Sequence, residues 1–156
     1  MNKRELLDRI VARLQAELEL LTTAALATHA EATDEENKAE DKYDTRGLEA
    51  SYLAHGQSKA AEETALALTQ FQTLVLRDFG PGEPISLGAL VALDGPARYF
   101  IGPRAGGTEI ELNGTTVLVI TPQSPLGRQL LGRQQGDTVE FDLGGQRAPA
   151  RIATVA

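Results

Sequence analysis

The sequence contains no cysteine and no tryptophan, and only seven of its 156 residues are aromatic. Without cysteine, disulfide bonds, thiolate metal sites and cysteine nucleophiles are all excluded. The chain also has no apolar run long enough to span a bilayer, and its start, MNKRELLDRI, is charged and has no signal-peptide core. These absences predict a cytoplasmic protein that has no contact with a membrane.

Positive charge is also scarce. Fifteen lysine and arginine residues stand against twenty-two aspartate and glutamate residues, which gives a formal net charge of −7 at pH 7. A protein that binds nucleic acid by neutralising phosphates needs the opposite balance. The composition therefore excludes a protein that holds free DNA or RNA mainly by charge.

Glycine and proline are nearly missing from the first half of the chain. Residues 1–79 contain two glycines and no proline, whereas the remaining thirteen glycines and all seven prolines follow from Gly80 onward. The segment DFGPGEP, residues 78–84, marks the change, because glycine and proline end helices and supply turns. We predict two domains, residues 1–79 and 80–156, with a short semi-rigid joint between them.

The first 79 residues have the apolar period of helices. Residues from about 3 to 30 place apolar side chains at alternating steps of three and four, which puts them on one stripe. A second helical pattern runs from about Leu48 to Leu76, and two such helices joined by a short connection fold back as an antiparallel pair. The predicted inward positions are Leu7, Ile10, Leu14, Leu18, Leu21 and Ala25 in the first helix and Leu48, Tyr52, Leu66, Phe71 and Val75 in the second.

The connection between these helices is strongly acidic. Seven carboxylates lie within residues 31–44, relieved only by Lys38 and Lys42. Helix capping and the helix dipole account for two or three of them. Two interpretations stay open: the tip serves only helix capping and solubility, or it meets a cation or a basic partner surface, since carboxylates are natural ligands of Mg²⁺. An open tip holds Mg²⁺ weakly, so we expect no metal site in the isolated protein.

The second half of the chain has the alternation of strands. The segment SPLGRQLLGRQQGD interrupts it with a short helix near 125–132, in which Ser124 is the N-cap and Pro125 the first residue. Gly144 and Gly145 form a predicted hairpin turn. Antiparallel strands with one packed helix predict an α+β domain. The predicted strand regions are 85–93, 97–103, 108–120, 137–143 and 146–155.

The segment ITPQSPLGRQLLGRQQGDTVEF resembles the C-terminal signature of the bacterial Gre transcript-cleavage factors. Those factors consist of an antiparallel helical hairpin (a coiled coil) with an acidic tip, followed by an FKBP-like antiparallel β-domain. The resemblance therefore covers the whole chain in order and size, and it implies this α+β architecture here. The matching positions are Ser124, Pro125, Leu130, Leu131, Gly132, Arg133, Gly136, Asp137 and Val139.

The resemblance implies a function as an accessory factor and not as an enzyme. In the family, the β-domain docks at the secondary channel of RNA polymerase, and the hairpin tip helps to hold Mg²⁺ in the polymerase active site while backtracked RNA is cleaved. The chain would then need no cofactor of its own and would meet RNA or DNA only within the polymerase complex. The implied tip residues are Asp34, Glu35, Glu36, Glu40, Asp41 and Asp44. The implied polymerase-binding residues are Ser124, Pro125, Arg128, Leu131 and Arg133.

The tip departs from the family pattern. Glu36-Asn37 and Ala39-Glu40 are similar to it, but Lys38 lies between these pairs, and Thr33 stands where an acid is expected. A changed spacing rotates a carboxylate by about 100° per residue on a helix. Three functions therefore remain open: stimulation of RNA cleavage, inhibition of transcription without cleavage by blocking the channel, and a coiled-coil interaction module for another partner.

Overall fold

The computed structural model describes residues 1–33, 46–143 and 145–156. By its internal contacts the chain divides into two compact units. Val11–Thr69 form one, which we call the hairpin unit, and Met1–Ile10 together with Gln70–Ala156 form the other, which we call the β-unit. Composition predicted a domain boundary at residue 80. The β-unit contains, in addition to residues 80–156, the ten N-terminal residues and the ten residues that precede Gly80.

Two long helices make up the helical part. Helix α1 spans Lys3–Thr33 and helix α2 spans Arg46–Gln72, and together they form the predicted long helix hairpin. The start of α1 is capped by Asn2, whose side-chain oxygen accepts hydrogen bonds from the backbone N–H groups of Arg4 at 2.9 Å and Glu5 at 3.3 Å. None of the helices in the described ranges is both long and apolar enough to cross a membrane.

The predicted helical stripe is confirmed in α1 and only partly confirmed in α2. Four stripe residues of α1 are buried, and Leu18 and Leu21 are half-buried. In α2, Phe71 is fully buried, but the predicted inward positions of Leu66 and Val75 are wrong, since these side chains are 43% and 82% exposed. Leu48 and Tyr52 lie outside the residues whose side chains the structure describes. The buried stripe residues of α1 are Leu7, Ile10, Leu14 and Ala25.

Val75 is exposed because α2 ends before it. The helix stops at Gln72, and the N–H of Leu74 donates to the carbonyl of Phe71 at 3.3 Å in a turn. Beyond that turn the helical period no longer decides which side chain points inward.

The β-unit contains a six-stranded sheet with the order β3-β4-β2-β1-β6-β5. A short helix, α3, spans Pro125–Leu130 between β4 and β5. The run 108–120, predicted as one strand region, is a hairpin of two strands, because Asn113 and Gly114 adopt positive φ angles of 52° and 75° and turn the chain. The strands are β1 Leu90–Leu93, β2 Arg98–Ile101, β3 Glu109–Leu112, β4 Thr115–Ile120, β5 Thr138–Leu143 and β6 Gln146–Val155.

The sheet is rich in antiparallel pairs, as predicted, but it contains one parallel pair. Strand β4 lies beside β2 and runs parallel to it, with Tyr99 opposite Leu118. The reason is that the chain leaves β2, forms β3 at the edge of the sheet and returns as β4 between the two. The fold class α+β is unchanged by this pair.

Both surfaces of the sheet carry buried side chains. Tyr99 and Ile101 belong to a core cluster that also includes Leu130 of α3. The alternate residue Phe100 is fully buried as well. Around Gly102, a Cβ atom would lie 2.8 Å from the ring of Phe71 and 2.9 Å from Val119, so the end of α2 packs tightly against the sheet. Residues before Gly80 therefore help to form the core of the β-unit.

Candidate functional site

The acidic tip predicted to meet a metal lies outside the described residues. This applies to every tip carboxylate in the prediction, so their role stays a prediction. Among the residues that the structure does describe, no group of three or more histidine, aspartate or glutamate side chains is placed to hold a metal ion. The tip residues concerned are Asp34, Glu35, Glu36, Glu40, Asp41 and Asp44.

The polymerase-binding prediction falls on α3, which the structure describes in full. Ser124 is the N-cap, as predicted from the Ser-Pro pair: its hydroxyl accepts from the N–H of Gly127 at 3.0 Å and donates to the carbonyl of Thr121 at 2.8 Å. Pro125 follows at the first helical position and is exposed. The Ser124 side chain is thus occupied in starting the helix, and it offers less to a partner than Pro125 does.

Gly127 is required by packing. A Cβ atom at this position would lie only 1.9 Å from the carbonyl oxygen of Thr121 and 2.8 Å from the hydroxyl of Ser124. No side chain fits at such distances, so α3 lies directly against the chain that precedes it. Sequence reasoning missed this requirement, because a glycine within a helix usually indicates a less stable helix and not a close approach of two chain segments.

The two leucines of the motif both serve the fold. Leu130 is fully buried in the core of the β-unit, and Leu131 is half-buried and packs against the same core. The next residue, Gly132, has a φ of 79° and ends the helix, and its N–H donates to the carbonyl of Ile85 at 2.9 Å. The N–H of Ile85 in turn donates to the carbonyl of Arg133 at 2.8 Å, which fixes the segment after α3 to the segment before β1.

The Gly-Asp part of the motif forms the turn into β5. The carboxylate of Asp137 accepts from the N–H of Gln134 at 2.9 Å, and Gly136 has a φ of 95°. The N–H of Gly136 donates to the carbonyl of Ile152 at 2.8 Å, and Val139 is buried. These contacts explain why Gly, Asp and Val occur at this spacing: each one builds the turn or the core.

Two arginines of the motif remain available to a partner. Arg128 lies on α3 and Arg133 follows it, and both side chains are exposed. Within the motif, the positions that identify it are therefore mostly structural, whereas Pro125, Arg128 and Arg133 present exposed side chains beside or on α3. We call these three residues the α3 face. Arginine on an exposed face suits recognition of carboxylate groups on a partner.

A cluster of cations around Phe79 was not predicted. The Arg77 guanidinium lies 4.0 Å and the Lys3 ammonium 5.0 Å from the centre of the Phe79 ring. The ammonium of Lys3 also donates to the carbonyls of Arg77 and Gly88. Partial burial lowers the pKa of Lys3, the carboxylate of Asp78 opposes this shift, and Arg77 adds to it. This cluster ties the start of α1 to the segment that follows α2.

The predicted joint at residues 78–84 is held by Glu83. Its carboxylate accepts from the N–H of Gly80 at 2.6 Å and from the Arg77 guanidinium at 3.2 Å, while its own N–H donates to the carbonyl of Gly80 at 3.0 Å. The hydrogen bond from Gly80 is the main reason why the pKa of Glu83 is lowered, although slight desolvation opposes it; Arg77 lowers the pKa further. The joint is thus a defined turn.

A groove of about 550 Å³ opens at one end of the sheet, between the β1–β2 and β3–β4 turns. Tyr99 and Leu118 supply its apolar part, and Thr115 and Thr116 supply hydroxyl groups. Arg98 also lines the groove, but its guanidinium donates to the carbonyls of Gly95 at 2.9 Å and Ala97 at 3.0 Å and so fastens the β1–β2 turn. Burial raises the pKa of the Tyr99 hydroxyl. Nothing in the linear sequence brings these two turns together.

Comparison with known proteins gives a consistent family assignment. Residues 106–156 match the family described as "Transcription elongation factor, GreA/GreB, C-term". The chain is 29% identical over 154 residues to the "Transcription inhibitor protein Gfh1" of Thermus aquaticus, covering 95% of this chain and 90% of that protein. The protein of the same name from Thermus thermophilus is also 29% identical over 154 residues, with 95% and 91% covered.

Two solved structures align along most of the chain. "Structure of the transcription factor Gfh1" has 25% identity and a TM-score of 0.40, covering 97% of this chain and 91% of that one. The crystal structure of Gfh1 from Thermus thermophilus has 21% identity and a TM-score of 0.37, covering 94% of each chain. The family match and the curated relatives confirm the resemblance that the motif around α3 predicted: residues 106–156 match the GreA/GreB family, and the chain as a whole is similar to Gfh1.

Proposed function

We propose that this chain is a cytoplasmic accessory factor that binds RNA polymerase at its secondary channel and inhibits transcription there. The observation that carries the proposal is the family match over residues 106–156, which contain α3 and its exposed arginines. The curated relatives that align over nearly the whole chain are named as transcription inhibitors. In this proposal the catalytic centre belongs to the polymerase and the chain is not an enzyme.

The β-unit supplies most of the affinity. It contains a continuous core and an α3 whose position is fixed by the Ser124 cap and by the close approach at Gly127. The α3 face is therefore presented without further ordering of the backbone, which lowers the entropic cost of binding. Its two arginines favour an acidic surface on the polymerase.

The hairpin unit supplies charge at the polymerase active site. Its tip carries seven carboxylates within residues 31–44, whereas Mg²⁺ binds only one or two protein carboxylates and keeps most of its waters. In the proposal, these carboxylates compete for the catalytic Mg²⁺ of the polymerase, and the hairpin obstructs the channel. The chain brings no cofactor of its own, and it meets RNA or DNA only inside this complex.

Binding is tested with purified core RNA polymerase. We expect the full chain to be retained by immobilised polymerase and the double variant Arg128→Ala, Arg133→Ala to bind about tenfold more weakly, a loss of about 1.4 kcal/mol. The variant Arg4→Ala, which removes an exposed arginine of α1, is the matched control and should bind as the wild type does. If the polymerase does not retain the full chain even at low salt, the proposal is wrong, and a coiled-coil module for another partner becomes the better reading.

Inhibition is separated from cleavage with the triple variant Glu35→Ala, Glu36→Ala, Glu40→Ala. We expect the wild type to slow RNA synthesis without shortening backtracked RNA, and the triple variant to bind equally well but inhibit less. Mg²⁺-dependent shortening of the RNA by the wild type, lost in the variant, would instead establish stimulation of cleavage. Equal behaviour of both proteins in both assays would show that the tip is only a solvated turn.

A further inference from the structure

The six-stranded sheet ends in two edge strands, β3 on one side and β5 on the other. An edge strand presents backbone N–H and C=O groups that have no neighbouring strand, and these groups invite a strand from another chain to pair with them. In the β-unit, a side chain of a nearby helix forms a hydrogen bond with each edge. At the β5 edge the side chain accepts the hydrogen bond, and at the β3 edge the side chain donates it, because the backbone groups concerned are an N–H and a carbonyl.

At the β5 edge, one outward-pointing backbone group is the N–H of Glu140. Strand β5 pairs with β6 so that Glu140 lies opposite Pro149. The N–H of Ile152 donates to the carbonyl of Asp137, three residues before Glu140 and directly before β5 begins. In an antiparallel pair only every second residue bonds to its neighbour strand, so the backbone groups of Glu140 point away from β6. The N–H of Glu140 donates instead to the side-chain oxygen of Gln129 on α3, at 2.9 Å.

Pro149 protects β6, the second strand of the β5–β6 pair, against pairing with another strand. Because Pro149 lies opposite the outward-pointing Glu140, its nitrogen faces away from β5, and proline has no N–H to offer there. On its other side, β6 pairs with β1 only from Val155 back to Arg151. The carbonyl of Arg151 accepts a hydrogen bond from the N–H of Asp94 at 3.0 Å. A proline therefore stands where β6 projects beyond its neighbour.

At the β3 edge, one outward-pointing backbone group is the carbonyl of Glu111. Thr108 and Val119 are bonded across the β3–β4 pair, and alternation then leaves the backbone of Glu111 pointing outward. The Arg9 guanidinium of α1 donates to this carbonyl at 3.1 Å and is held by Glu5, one helical turn earlier, at 3.2 Å. A donor thus covers a carbonyl here, whereas an acceptor covers an N–H at the other edge.

We propose that Gln129 and Arg9 close the two edges of the sheet against strand pairing with a second copy of this chain. The β5 edge needs this protection more, because β5 has six residues and β3 has four. A symmetric pairing centred on Glu140 would also place this exposed glutamate opposite the same glutamate of the second copy, and like charges directly opposite each other destabilise a strand pair. Gln129 occupies this N–H, and the carboxylate of Glu140 adds a repulsion that Arg147 on β6, 3.5 Å away, partly offsets.

The proposal is tested by the mass of the full chain in solution. We expect the wild type to sediment as a monomer and the double variant Gln129→Ala, Glu140→Thr to reach twice that mass as concentration rises. Gln135→Ala, which changes an exposed glutamine five residues after α3 ends, is the matched control and should stay monomeric. A circular dichroism spectrum equal to that of the wild type confirms that each variant is folded.

Amide hydrogen exchange tests the role of Gln129 independently. In the wild type, the amide of Glu140 should exchange slowly although it has no strand partner, and Gln129→Ala should remove this protection, whereas Gln129→Glu, which keeps an acceptor oxygen, should preserve most of it. Three results would overturn the proposal: a dimeric wild type, a double variant that stays monomeric at every concentration, or an amide of Glu140 that exchanges alike in wild type and Gln129→Ala.

Discussion

The hairpin unit and the β-unit differ most in charge. The hairpin unit has twelve acidic and five basic residues, whereas the β-unit has ten of each, so the whole net charge of −7 belongs to the hairpin unit. A neutral unit can approach a partner surface closely, whereas a strongly acidic one is attracted to cations and basic surfaces and repels phosphate. This contrast fits the proposed division, in which the β-unit binds the polymerase surface and the hairpin unit acts at the polymerase active site.

The two units also differ in how their cores are built. Among the side chains that the structure describes, the buried apolar ones of the hairpin unit are Leu14, Ala25 and Ala67, two of which are alanines. The β-unit buries large side chains such as Phe71, Phe100 and Ile101 completely. Because burial of apolar area is the main stabilising contribution, we expect the β-unit to be the more stable of the two.

Gly127→Ala is expected to change the difference in stability between the two units most. The new methyl group would lie 1.9 Å from the carbonyl oxygen of Thr121, so α3 has to move away from the chain beneath it. We expect the free energy of unfolding of the β-unit to fall by about 3 kcal/mol, measured by urea denaturation. Gly82→Ala is the control, since a Cβ atom at Gly82 meets nothing within 4 Å. A Gly127→Ala protein as stable as the control would contradict the packing described for α3.

Gly56→Ala is expected to change stability in the opposite direction, and in the other unit. Gly56 lies inside α2, and a Cβ atom there meets nothing within 4 Å. Alanine should therefore stabilise the helix by about 1 kcal/mol, because it loses less backbone entropy than glycine. The measurement is the thermal loss of helical circular dichroism. An unchanged or lower midpoint would show that Gly56 has a contact or a bend that alanine does not support.

Glu83→Gln is expected to give the smallest effect, seen only as a change in pH dependence. The folded protein lowers the pKa of Glu83, so its contribution to stability is present above the ordinary carboxyl pKa and is lost as pH falls through the lowered value. Below the ordinary carboxyl range, the urea midpoint of the wild type should therefore fall more steeply than that of Glu83→Gln. Arg77→Ala should keep most of the wild-type slope, because the hydrogen bond from Gly80 is the larger cause. Equal slopes in wild type and Glu83→Gln would contradict this role.

Much of the fold followed from local rules. The helical period of α1 and the Ser124-Pro125 pair that starts α3 are properties of neighbouring residues, and both predictions were confirmed. The family motif was recognised for the same reason: its residues build one helix and one turn. The domain boundary predicted from the glycine and proline content near Gly80 stays a prediction. The polymerase-binding role of the α3 face and the metal role of the tip stay predictions.

What the sequence by itself determined is the two long helices, the helix α3, the resemblance to the Gre family and the concentration of negative charge in residues 31–44. The tertiary structure alone decided which residues those elements bring together: the parallel pairing of β2 and β4, the packing of Phe71 on Gly102, and the bonds of Gln129 and Arg9 to the sheet edges. These contacts join residues that are far apart along the chain, as Arg9 and Glu111 are. Local periodicity and propensity act over a few residues, so they carry no information about such pairs.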